Sequence, residues 1–182
     1  SCRIKIATLI ARNDNIMISI VTVSYKSIDY VETMLASLFR FVDRDDLEIF
    51  VVVNGDGSDP SALQRKYPRV RFIISERNLG FAGGCNLAIA QSTGEFVVLL
   101  NPDTIFASDA ISEIEERMRR DVNVGGGGIS LKNLDGSQQD CVWHFPTPVD
   151  QLILLSKLPH VLPNLPPIRR YLMKDFDYRR TQ

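Results

Sequence analysis

The chain has no paired-cysteine signature. Its three cysteines, Cys2, Cys85 and Cys141, are odd in number, widely spaced and never arranged as CxxC. That excludes a disulfide scaffold and a structural zinc site, and it fits a reducing compartment. Charge of one sign is also missing. The 21 Lys and Arg stand against 22 Asp and Glu, a formal net charge of −1. This balance removes the electrostatic basis for a nucleic-acid partner, so function has to reside in a local site. No apolar run reaches the length of a membrane span. The N-terminal "RIKIATLIAR" has too short an apolar core for a signal peptide. Met17 stands directly before the first strong strand, so residues 1–16 read as an extension or a misread start. Histidine is scarce. His144 and His160 have no Cys, His or carboxylate at ligand spacing and read as structural or exposed. The single tryptophan, Trp143, reads as core or hairpin packing before it reads as a platform for a sugar ring.

The chain is rich in alternation between short apolar runs and helical stretches. Strands are expected at 18–24, 47–54, 70–75 and 95–100, with helices at 28–42, 60–67, 81–92 and 108–120 between and after them. In the first helix Val31, Met34, Leu35, Leu38 and Val42 fall on one face. In the last, Ile111, Ile114 and Met118 do the same, Ser108 is the expected N-cap, and Glu113–Arg117, Glu115–Arg119 and Glu116–Arg120 are three i,i+4 pairs. A further strand is expected at 124–131, then a turn at Asp135-Gly136 into a hairpin over 137–145. Strand and helix in strict succession, with near-continuous apolar strands, imply an α/β fold: a mostly parallel sheet with helices on both faces. Right-handed crossovers then place every strand's C-terminal end on one edge, where ligands bind. After Phe145 the composition changes. Pro159, Pro163, Pro166 and Pro167 limit any helix to one or two turns, so 146–182 reads as an extended or partly helical Pro/Leu-rich arm.

Three loops on the expected binding edge carry candidate chemistry. The apolar run "VVLL" ends in Asn101-Pro102-Asp103. A carboxylate there can hold Mg²⁺ or Mn²⁺, which takes one or two protein carboxylates and completes its shell with water and phosphate oxygens. Asn101 could bond a sugar or ribose hydroxyl; the alternative is a turn in which Asp103 only caps a neighbour. The stretch "RNLGFAGGCN" offers backbone N–H groups to an anion, or close helix–strand packing through its glycines, with Cys85 in the core. In "NGDGSDP", Asn54, Asp56 and Asp59 could read a nucleobase or ribose, or form a polar turn. The Gly125–Gly128 run leads into a strand rather than a helix, so it lacks the dipole of a phosphate loop.

Together, "ISIVTVSYKSIDYVETMLASL", "NLGFAGGCNLAIA" and "VVLLNPDT" resemble, in order and spacing, family 2 glycosyltransferases of the GT-A fold, and most closely their bacterial rhamnosyltransferase-like branch. "NLDGSQQDCVWHFPTP" is similar to the stretch after the donor site there, and the resemblance covers roughly 17–150. It implies a Rossmann-like nucleotide-sugar-binding domain over 17–145, with 146–182 as the start of an acceptor-side region. It also implies inverting, metal-assisted transfer from a dTDP- or UDP-sugar to a glycan or lipid-linked acceptor. A cytoplasmic location follows, at the inner face of the membrane if the Leu- and Pro-rich arm with Arg169 and Arg170 rests there. On this resemblance Asn101 and Asp103 match the family's Asp-x-Asp position, with Asp103 as the metal and diphosphate contact. Ser24 and Tyr25 match the chain lining the nucleotide pocket, and Asn78, Gly80, Phe81, Gly83 and Asn86 match the segment beside the donor.

Two departures stand out. Val53 occupies the place of an Asp that reads the base in the family, leaving Asp56 or Asp59 as substitutes. No catalytic residue is identified; the resemblance places the general base beyond Gln182, and Asp175 and Asp177 do not match its motif. A non-catalytic nucleotide-sugar-binding fragment lacking the acceptor half is therefore the competing reading. A nucleotidyltransferase would need a glycine-rich loop after the first strand, and "SYKSIDY" has none.

Overall fold

The computed structural model describes residues 18–121, 123–139, 141–157, 161–162 and 164–178. The expectations for residues 1–16, Cys2, Met17, Pro159, His160 and Pro163 lie outside them. The chain divides into two compact units between Ile129 and Ser130.

The first unit is an alternating α/β layer structure. Its elements are β1 (Ile18–Ser24), α1 (Ile28–Phe41), β2 (Leu47–Asn54), α2 (Ser61–Lys66), β3 (Val70–Ser75), α3 (Gly80–Ile89), β4 (Phe96–Leu100) and α4 (Ala110–Arg120). All strand pairs are parallel, in the order β3-β2-β1-β4. Alternation along β1 explains its unbroken apolar character. Ile18 and Ile20 enter a cluster with Val31, Met34, Leu35 and Leu38 of α1, Leu63 of α2 and Ile111, Ile114 and Met118 of α4. Val21 and Val23 enter a second cluster with Cys85 and Ala88 of α3. Both faces are covered, so a polar side chain at either parity needs its own partners. Burying each large side chain of α1 contributes about 1.5–3 kcal/mol. Cys85 is part of this packing, and burial pushes its thiol pKa up to about 11, leaving little thiolate at neutral pH.

Two polar networks join these layers. Arg44 donates to both carboxylate oxygens of Asp46, to Ser112 Oγ at 3.2 Å and to Glu115 of α4. Arg119 also pairs with Glu115, at 3.0 Å, and the other two expected i,i+4 pairs of α4 form as well. The N-cap of α4 is Asp109, one residue after the expected Ser108; its Oδ1 accepts the Ser112 N–H at 3.0 Å.

The second network lies at the N-terminal end of the strands. Glu48, only 8% exposed, accepts from Ser19 Oγ at 2.7 Å and from Thr93 N and Oγ1, both at 2.8 Å. Burial disfavours its ionised form. The bonds from Thr93 and Ser19 and the nearby Arg71 guanidinium outweigh that and hold its pKa below the ordinary 4.5. A carboxylate with a lowered folded pKa contributes stability above its unfolded value and loses it as pH falls through the folded one. Glu48→Gln keeps one acceptor oxygen where two are used. It is expected to cost about 1–3 kcal/mol in urea unfolding at neutral pH, with the deficit shrinking as pH falls below the ordinary glutamate range. A deficit that stays constant on acidification would show that the charge is not what matters.

Among its described residues the second unit holds a short hairpin and two short helices. β5 (Leu131–Lys132) and β6 (Gln138–Gln139) pair antiparallel around Gly136, whose φ is 82°. The hairpin is therefore much shorter than 137–145, and the strand expected at 124–131 is confined to its last residue and Lys132. Glycines at 125–128 have no side chains to pack and lose the most entropy on ordering, so an apolar flank does not make them a strand. The arm forms α5 (Pro148–Leu155) and α6 (Pro166–Tyr171). Thr147 and Asp150 form a reciprocal capping box, and Pro148 opens α5. Among the described residues no helix is long and apolar enough to cross a membrane.

Candidate functional site at the sheet edge

Because every strand of the first unit runs the same way, Ser24, Asn54, Ser75 and Leu100 end on one edge. The chain builds outward from β1 to β2 and β3, then returns to place β4 on the other side of β1. The crevice at such a reversal is where open α/β sheets bind ligands. The loop from Ser24 and the turn from Asn101 to Asp103 flank it.

The loop after β1 is tightly determined. Ser24 is buried, with its hydroxyl 3.1 Å from that of Ser27, which also accepts the Tyr25 N–H at 3.2 Å. Lys26 has φ 54°, in the left-handed region. Its N–H is donated to Asp56 Oδ2, and its ammonium lies 5.5 Å from the centre of the Tyr25 ring. Tyr25 is 45% exposed at the edge.

The loop after β2 is held just as firmly. Asp56 Oδ1 accepts the Ser58 N–H at 2.9 Å. Partial burial opposes ionisation of Asp56, but the N–H groups of Lys26 and Ser58 outweigh it and hold its carboxyl below the usual aspartate range. Both amide protons of Asn54 are donated within the protein, to Asn78 Oδ1 at 3.0 Å and Gly80 O at 3.2 Å, while its Oδ1 accepts the Leu79 N–H at 2.9 Å. Asn54 is thus the anchor of the β3–α3 loop. Asp59 accepts from Ser61 N–H and Oγ at the start of α2. Asn78 Oδ1 also accepts the Gly80 N–H at 2.8 Å, where Gly80, φ 70°, opens α3. Phe81, 45% exposed, and Gly83 sit in the first turn of α3, and Asn86 is exposed in the second. Gly84 is the packing glycine: a Cβ there would come within 2.8 Å of Val23. Val53 is buried in the sheet, 1% exposed.

Beyond β4, Thr104 N–H donates to Asn101 O at 3.1 Å and closes the turn around Pro102 and Asp103. Downstream, Phe106 is buried and its N–H donates to Ser37 Oγ at 3.1 Å, which fixes the exit of the turn to α1. Asp103 is half-buried, with its Oδ1 oxygen buried. Among the described residues no group of three or more His, Cys, Asp or Glu is placed to hold a metal. A single carboxylate such as Asp103 is compatible with a hard cation that takes its other ligands from phosphate and water. It does not fit an all-protein cage.

The edge thus gathers Ser24, Tyr25, Asn54, Asp56, Asn78 and Gly80 into bonded loops, with Asn101 and Asp103 at the end of the neighbouring strand β4. Sequence reasoning missed Lys26, Ser37 and Gly55. Gly55 has φ 69°, and a Cβ there would lie 2.1 Å from Arg77 C. The Asn-Gly dipeptide hints at positive φ, but nothing local points to the distant Arg77.

Comparisons with known proteins bear on the family and the fold. The sequence model of the family described as "Glycosyl transferase family 2" matches residues 19–176. The N-acetylglucosaminyl-diphospho-decaprenol L-rhamnosyltransferase of Mycobacterium tuberculosis is 30% identical over 134 residues, 66% of this chain and 43% of that protein. The chain thus spans less than half of that relative. Among solved structures, S. aureus TarS 1-349 in complex with UDP-GlcNAc has a TM-score of 0.52 at 21% identity, over 58% of this chain and 32% of that one. The mannosyltransferase PcManGT from Pyrobaculum calidifontis, in complex with GDP-Man and Mn²⁺, has a TM-score of 0.54 at 24% identity, over 64% of this chain and 35% of that one. These two likenesses bear on the fold.

Proposed function

As the chain belongs to glycosyl transferase family 2, we propose that its sheet edge binds the donor of an inverting, metal-assisted sugar transfer, a nucleoside-diphosphate sugar of the dTDP or UDP class. The observation that carries this reading is the convergence of the loops after β1, β2 and β4 on one edge, with Asp103 beside the β1–β4 crevice. Asp103 would hold Mg²⁺ or Mn²⁺ together with the diphosphate. When bound, the cation acts as a Lewis acid that offsets the charge of the departing diphosphate. Tyr25 offers a flat, partly exposed ring to the nucleobase, and Asn101 a side-chain amide to the sugar or ribose. Asn54 and Asn78 position the start of α3. With Val53 buried and the Asp56 carboxylate bonded to Lys26 and Ser58, base recognition falls to stacking and backbone groups.

The rhamnosyltransferase relative supports rhamnose as the sugar and a lipid-linked glycan as the acceptor; polysaccharide assembly on the cytoplasmic side of a membrane is part of the same proposal. Exposed Val149, Leu152 and Leu155 on α5 support peripheral contact of the second unit with that membrane. Calorimetric titration with UDP, dTDP and GDP, with and without Mn²⁺, tests the donor site. Binding is expected only with the metal, and UDP and dTDP are expected to exceed GDP. Absence of binding to folded protein would remove the donor reading.

A further inference from the structure

We propose that Asp56 is a positioning residue of the donor site, acting through the backbone of Lys26 rather than by touching the nucleotide. This rests on the donor-site reading above. Lysine is uncommon at positive φ, because its Cβ crowds the backbone there. Such a conformation persists where the surroundings over-determine it, and it clusters at functional edges. At Lys26 the surroundings are specific. Its N–H, turned by the φ of 54°, meets one oxygen of Asp56, while the other oxygen is fixed by Ser58 N–H at 2.9 Å. Gly55 and Gly57, at φ 69° and 75°, bend the loop after β2 so that Asp56 reaches the neighbouring strand's loop. The residue so fixed directly follows Tyr25, whose own N–H is tied to Ser27. The latch therefore sets where the Tyr25 ring and the Lys26 ammonium stand over the edge. Released from Asp56, Lys26 would relax towards negative φ and carry both side chains with it.

The test is a coupling measurement with UDP and Mn²⁺ on the full chain, with thermal melts confirming that each variant is folded. Asp56→Ala is expected to weaken UDP binding by about tenfold. Asp56→Asn, which keeps one acceptor oxygen, is expected to fall between Asp56→Ala and wild type. Asparagine tolerates the left-handed region better than lysine, so in a Lys26→Asn background the same Asp56→Ala change is expected to cost less than about threefold. Two results would overturn the latch while leaving the donor site standing. One is Asp56→Ala binding UDP as tightly as wild type. The other is an equal loss in both backgrounds, which would mean that Asp56 acts other than through residue 26. Wild type that binds no UDP would remove the donor reading itself, and the latch with it.

Discussion

Asp103→Ala is expected to abolish metal-dependent nucleotide binding, raising the dissociation constant for UDP with Mn²⁺ by about 100-fold or more, roughly 2.7 kcal/mol. The size of the effect follows from the lack of redundancy. Among the described residues no cluster of three metal-ligating side chains exists, and Asp103 is the carboxylate at the end of β4. On the proposed donor site, a cation that draws most of its shell from diphosphate and water would depend on that single protein anchor. Without it, the diphosphate meets the edge uncompensated. Asp103→Asn separates charge from shape: it retains the side-chain volume in the turn closed by Thr104 and Asn101, 3.1 Å apart. It is expected to lose nearly as much binding as the alanine variant. Without metal, wild type and both variants should be alike in showing no binding. Titrations with and without Mn²⁺ check all three expectations. Metal-dependent binding that survives in Asp103→Ala would place the cation elsewhere.

How much of this site was visible in the sequence depends on how local each interaction is. Period and composition were enough for the four parallel strands. The face of α1 carrying Val31, Met34, Leu35 and Leu38 is buried as its spacing implies, and the Glu–Arg pairs of α4 form as their i,i+4 spacing implies. Continuous apolar strands implied cover on both faces, and the two side-chain clusters supply it. The stretch 124–131 misled because valine, isoleucine and leucine at its ends suggested a strand, while four central glycines removed the side chains that would stabilise one. The edge loops defeated the sequence for another reason. Asn54 to Asn78, Lys26 to Asp56 and Gly55 to Arg77 are each between loops far apart in the chain. Polar residues in such loops look alike whether they face a ligand or one another. By sequence Asn54 and Asp56 fit a ligand contact or a polar turn alike; in the structure their polar atoms hold the loops.

That distinction makes Gly55→Ala the substitution with the largest expected effect on folding. The added Cβ would lie 2.1 Å from Arg77 C and 2.4 Å from Asn78 N, both backbone atoms. No rotamer change relieves a backbone contact, so the loop at 76–79 has to move. Moving it strains the bonds of Asn54 to Asn78, Leu79 and Gly80, each contributing about 1 kcal/mol. A side chain at φ 69° also adds its own strain, about 1–2 kcal/mol. The expected loss is about 3–5 kcal/mol, at the upper end of what single substitutions produce. Gly57 is the internal control, since it shares the positive φ, 75°, but a Cβ there meets nothing within 4 Å. Gly57→Ala should therefore cost only the strain, about 1–2 kcal/mol. Urea unfolding of the two variants isolates the loop contact from the conformational term; equal losses would mean that the close approach of the two loops contributes nothing. If the losses differ as expected, nucleotide binding should follow the same order. The loop that Gly55 admits carries Asn78 and Gly80, and these fix where α3 begins at the edge.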